Sequence, residues 1–135
     1  MSAASDYLEN KVLDHVLTST GYTAPVTRYI GLFLNTSGNA ATNLEAGTLT
    51  DEVSGGSYAR QTVTFGAASA GQSATNATVT FTTATANWGT ITHVAVMDAV
   101  SGGNVLFWGA VTTSKTIETG DTFQISSGNL TISLA

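Results

Sequence analysis

A chain of 135 residues without cysteine is one domain's worth, long enough to bury a core with no disulfide or thiolate-held metal to staple it. Its apolar fraction of 42% argues against disorder, while its charged fraction of 10% falls far below the ~25% of ordinary soluble domains. Net charge is −5 with only Lys11, Arg28, Arg60 and Lys115 basic, which excludes the cationic stripe of a nucleic-acid binder and the polybasic anchor of a membrane-surface protein.

The first residues, Met1-Ser2-Ala3-Ala4-Ser5-Asp6, carry neither a basic region nor an apolar run, so no signal peptide is expected. Residues 5–18 read as the single α-helix. Leu8, Val12, Leu13, Val16 and Leu17 lie on one side, Glu9, Lys11 and Asp14 on the other. Asp6 followed by Glu9 resembles a capping box at the positive end of the helix, and Gly21 follows its end. The apolar stripe is expected to pack on the chain's own core, with a neighbouring molecule as the other taker.

After Pro25 the apolar period changes from 3.6 to 2. Residues 27–34 alternate Ile30, Leu32 and Leu34 against Tyr29, Gly31 and Phe33, which predicts a strand with both faces apolar, in the middle of a sandwich. Residues 35–57 read as a polar stretch too long for a tight connection, either a loop with a functional or contact role or a disordered segment, with a short strand expected at 48–53. Strands follow at 58–65, 76–81 and 91–98, with a flexible stretch of small residues at 66–73 and a connector at 84–89. Ser101-Gly102-Gly103-Asn104 is a hairpin turn that returns the chain as a strand over 105–112. Three more short strands are expected at 115–118, 122–126 and 130–134. The fold class is therefore all-β: an antiparallel β-sandwich or jelly roll of about eight short strands with one N-terminal helix, in a single domain spanning 1–135.

The chemistry-bearing residues do not assemble into a recognisable site. His15 and His93 have no partner at metal-ligand spacing, so His93 reads as a packing residue. Asp51 and Glu52 are adjacent, which on a strand points them to opposite faces; Asp98 and Asp121 sit where an Asp caps a turn. No calcium ladder and no phosphate loop is present. The expectation is a protein with no catalytic, cofactor-binding or metal-binding residues, hence not an enzyme. Of the two tryptophans, Trp108 lies in an apolar strand and is expected to be buried, whereas Trp88, in a connector beside Gly89, is the candidate for exposure and for stacking on a sugar. The deficit of surface charge suits life inside an assembly; small extracellular β-domains share it.

Four stretches carry a resemblance. They are Ser5-Asp6-Tyr7-Leu8-Glu9-Asn10; Glu52-Val53-Ser54-Gly55-Gly56-Ser57-Tyr58-Ala59-Arg60; Ala86-Asn87-Trp88-Gly89-Thr90-Ile91-Thr92-His93-Val94; and Ser101-Gly102-Gly103-Asn104-Val105-Leu106 through Thr119-Gly120-Asp121-Thr122-Phe123. Together they resemble a family of small β-rich virion proteins of tailed phages, of the marine and cyanophage type. The resemblance implies a structural protein of the virion. The leading expectation is a capsid decoration (cement) protein on the head exterior, a homotrimer whose partners are the major capsid protein and itself. The alternative is a tail fibre or tail-tip component that binds a host receptor or surface glycan. Under the decoration reading the contact elements are segment 1–7 and loop 35–57, with Arg60 as an ion-pair anchor; under the receptor-binding reading the site uses Trp88 and the loop asparagines, so that the candidate interface residues are Tyr7, Leu8, Asn39, Asn43, Arg60 and Trp88.

Overall fold

The computed structural model describes residues 3–134. Among the described residues, nine strands and two helices occur in the order β1 (Ala3–Ala4), α1 (Asp6–Leu17), β2 (Arg28–Phe33), α2 (Ala40–Glu45), β3 (Gln61–Val63), β4 (Gln72–Ala74), β5 (Val79–Thr80), β6 (Gly89–Met97), β7 (Val105–Ile117), β8 (Gln124–Ile125) and β9 (Thr131–Ser133). A five-stranded antiparallel sheet runs β1-β7-β6-β2-β3, and two ribbons, β4-β9 and β5-β8, complete the chain.

Strand β2 shows why the sheet has two buried faces. Ile30 and Leu32 point to a core that the sheet shares with Val79 of β5, Phe81 and Phe123. Phe33 points the other way, into a second cluster with Ala95, Met97 and Val105 that Leu44 of α2 covers. Ile30, Leu32 and Phe33 are all fully buried, as the two-sided apolar alternation of β2 predicts. The β6–β7 hairpin turns at Gly102 and Gly103, both at positive φ, where a side chain is strained. Asp98 holds that turn by accepting the backbone N–H of Asn104 at 2.7 Å and its side-chain amide at 2.9 Å.

Three expectations need correcting. Residues 105–112 and 115–118 are not separate strands but parts of β7, whose pairing with β6 is broken in register near Ile91/His93 and Val96/Met97; such bulges destroy a period-2 signal. The stretch 66–73, read as flexible, contains the start of β4, paired with β9. Loop 35–57 holds a second helix where only one helix is expected in the chain, while its pairing with β2 falls at the short strand expected over 48–53. That helix is α2, and the far end of the loop hydrogen-bonds to the end of β2, Leu34 N–H to Asp51 O at 2.8 Å and Val53 N–H to Leu32 O at 3.0 Å.

Candidate interaction surface

Helix α1 is fixed at its root and uncovered beyond it. Ser5, not Asp6, is the N-cap: its Oγ accepts the Leu8 N–H at 3.3 Å and donates to the carbonyl of Val105, while its own N–H donates to Leu106 O at 3.0 Å. Asp6 and Glu9 then lie in the first turn, where the helix dipole favours negative charge. The helix closes through Thr18, which returns both its N–H and its hydroxyl to Asp14 O, and the chain turns at Ser19 rather than at Gly21. It comes back along α1, the Tyr22 N–H donating to His15 Nδ1 at 3.2 Å. At the root the Tyr22 phenol is pushed above its usual range by burial and then by Tyr7 and Asp98, with the Arg28 charge opposing.

The apolar stripe does not pack on the chain's own core. Leu8 alone is buried, while Val12, Leu13, Val16 and Leu17 are 38, 53, 69 and 73% exposed. The physical reason is position: α1 leaves from β1 at the edge of the sheet, and it touches the body through its first turn and β7. A 12-residue helix is marginal in water by itself, so its stability depends on covering that face. Val16 and Leu17, the most exposed of the four, would each contribute about 1–2 kcal/mol on full burial, and Val12 and Leu13 less.

A trough lies elsewhere on the surface, with no α1 residue in its lining. Strand β9 pairs with β4 and not with β7, so the layers stay open between β7 and β9. Two cavities of about 320 and 270 Å³ flank the gap and share Val96, Phe107 and Ile132 as lining. The first is almost wholly apolar, floored by Phe65, Leu106, Phe107, Ile132 and Leu134, with Arg28 as its charged residue. Near the helix root the opposite charge collects: carboxylate oxygens of Asp6, Glu9 and Glu45 lie within 4.8 Å of one another, and Glu45 Oε2 also accepts the Trp108 indole N–H at 2.6 Å.

The six candidate interface residues fall into three pairs. Tyr7 and Leu8 sit at the helix root, with Leu8 in the core and Tyr7 packed against it; Met1 and Ser2, the start of the expected contact segment, lie outside the described residues. Asn39 is exposed, and Asn43 is half-buried. Asn43 belongs to a network around Asp51, whose carboxylate accepts from the Thr36 hydroxyl (3.0 Å), the Ser37 N–H (2.9 Å), the Ser37 hydroxyl (2.6 Å) and the Asn43 amide (3.4 Å). Arg60 does form an ion pair, but an internal one. It is 5% exposed and bonds Glu52 through two nitrogens at 2.7 Å each, so it is not a docking anchor. Trp88 is 4% exposed with its indole N–H on Gly56 O at 2.8 Å, so the connector tryptophan is the buried one and Trp108 is only half-buried. His93 stacks obliquely beside Trp108, and burial lowers its pKa against a weaker opposing effect of Asp51. The stripe residues Val12 to Leu17 were legible as apolar in the sequence; their exposure was not.

The Asp51 network gives a pH prediction. The Ser37 hydroxyl hydrogen bond, followed by the Ser37 N–H, Thr36 and Asn43, outweighs burial and holds the Asp51 carboxyl below its ordinary value. Its contribution to stability is therefore fully present above the unfolded-state pKa near ~3.9 and disappears as pH falls through the lower folded value. Asp51→Asn is expected to lower the urea midpoint at pH 7, and the gap to wild type should close when the titration is repeated near pH 2.5. A gap that stayed constant with pH would place the effect elsewhere.

A family model described as Podophage GP4 fiber I protein gp80 matches residues 3–133. No curated protein matches the chain.

Proposed function

The chain belongs to the family described as Podophage GP4 fiber I protein gp80 and is a structural protein of the phage virion, and on that premise we propose that it is a building block of a tail fibre. The match over residues 3–133 carries this reading, and it turns the balance from capsid decoration, the leading expectation from the sequence, to the fibre alternative. The protein works by non-covalent contact and carries out no reaction. Its partners are copies of itself and adjoining tail proteins, with no role for nucleic acid or membrane.

Two features of the chain suit this work. The exposed apolar stripe of α1 is surface made for a protein neighbour rather than for water. The aromatic that a glycan-stacking site would have used, Trp88, is internal, which weighs towards a fibre segment and away from a sugar-reading tip built on that residue. Antibody–gold labelling of intact particles tests the address: label at the tail is expected, and label spread over the head would return the protein to the capsid-decoration role.

A further inference from the structure

We propose that helix α1 of one copy docks into the apolar trough between β7 and β9 of a second copy. Three observations lead there. The stripe Val12, Leu13, Val16 and Leu17 and the trough floor are both apolar and both uncovered on the same chain. Their charges are complementary: α1 carries Asp6, Glu9 and Asp14 against a single lysine, Lys11, whereas the first cavity's one charged lining residue is Arg28, whose guanidinium has no ion-pair partner among the described residues. Finally, α1 is held away from its own trough. The β1–β7 pairing (Ala3 with Trp108, Ala4 with Phe107) and the Ser5 cap on Val105 and Leu106 fix its direction of exit. Turning it back would break both, so the helix that fills a trough comes from a neighbour.

A symmetric bundle of α1 helices is the other way to cover the stripe. It would crowd the Asp6, Glu9 and Glu45 carboxylates of several copies together and leave every trough open. Docking helix into trough answers both surfaces at once. The contact is head-to-tail, so it closes into a ring or runs on as a filament according to the rotation between copies. The inference rests on the fibre reading only in requiring several copies of the chain. It is tested on purified protein in solution, so tail labelling can fail while the contact holds, and the contact can fail while the tail address holds.

The chain has no cysteine, so single cysteines can be placed without background. Leu17→Cys and Leu134→Cys, at exposed sites on the helix and the trough wall, are mixed and oxidised. Crosslinking of Leu17→Cys to Leu134→Cys in preference to either with itself is expected; preferential Leu17→Cys self-crosslinking would establish the bundle and overturn the proposal. In sedimentation, the unsubstituted chain is expected to self-associate. Leu13→Glu/Leu17→Glu and, separately, Leu134→Glu should each weaken association about a hundredfold with unchanged circular dichroism. Mixing these two variants should restore a one-to-one complex, because one retains a sound trough and the other a sound helix. A wild-type chain that stays monomeric at every concentration, or a mixture that fails to pair, would overturn it.

Discussion

Arg60→Met is expected to destabilise the protein by about 3–5 kcal/mol, the cost of leaving one partner of a buried ion pair uncompensated. That is a large share of the ~5–15 kcal/mol that separates folded from unfolded domains. At ~4 °C per kcal/mol it corresponds to a fall in Tm of about 12–20 °C. The geometry explains why the loss is so concentrated. The guanidinium holds Glu52 Oε1 and Oε2 at 2.7 Å each and also donates to the carbonyls of Ala99 and Gly102 at 2.8 Å each, so it ties the 35–60 region to the β6–β7 turn. Tyr58 adds a third donor to Glu52 at 2.7 Å while accepting the Leu32 N–H at 3.0 Å. Its phenol is held far above its ordinary pKa, first by burial and then by the Glu52 charge. Gly31 makes the room: a Cβ there would meet Phe33, Glu52 and Arg60 atoms at 3.1, 3.2 and 3.5 Å. The double variant Glu52→Leu/Arg60→Met removes both charges and should recover much of the loss. Chemical unfolding of the two single variants and the double one checks this; purely additive losses would mean that the pair is not coupled.

Trp88→Ala should cost about 3–5 kcal/mol as a large-to-small core substitution. It also leaves the Gly56 carbonyl without the indole donor that meets it at 2.8 Å. Trp88 and Tyr58 meet at right angles, with centroids 5.5 Å apart and planes at 85°, and Gly56 is packed against the indole's Cδ1 and Nε1. At Gly56, φ is +58°, and a Cβ would lie 2.9 Å from two indole atoms, so Gly56→Ala should damage the same contact from the other side. Trp88→Phe keeps most of the volume and should lose less. Urea titrations order the three. If Trp88→Ala kept wild-type stability but abolished host adsorption, the side chain would be a surface reader after all.

The legible parts of this molecule are those where neighbours in sequence are neighbours in space. The two-faced alternation of β2, the Gly102-Gly103 turn and the amphipathic helix could all be read because strand pleat, turn conformation and helix period are local properties. Other features depended on distant partners. Loop 35–57 reads as a polar contact loop because Ser37, Thr36, Asn43 and Asp51 are ordinary loop residues singly; only their convergence makes a buried carboxylate site. The burial of the two tryptophans reversed for the same reason. Trp108 sits on β7, one strand in from the sheet edge, whereas the turn at Gly55 and Gly56 packs onto Trp88.

By itself, the order of residues determined an all-β antiparallel domain with one amphipathic N-terminal helix, because side-chain period and turn chemistry act over a few residues. Only the tertiary structure decided that Arg60 and Trp88 face inward and that α1 reaches outward with its apolar side bare. Amphipathicity states that a face must be covered, while the path of the chain at the sheet edge determines whether its own core can do the covering.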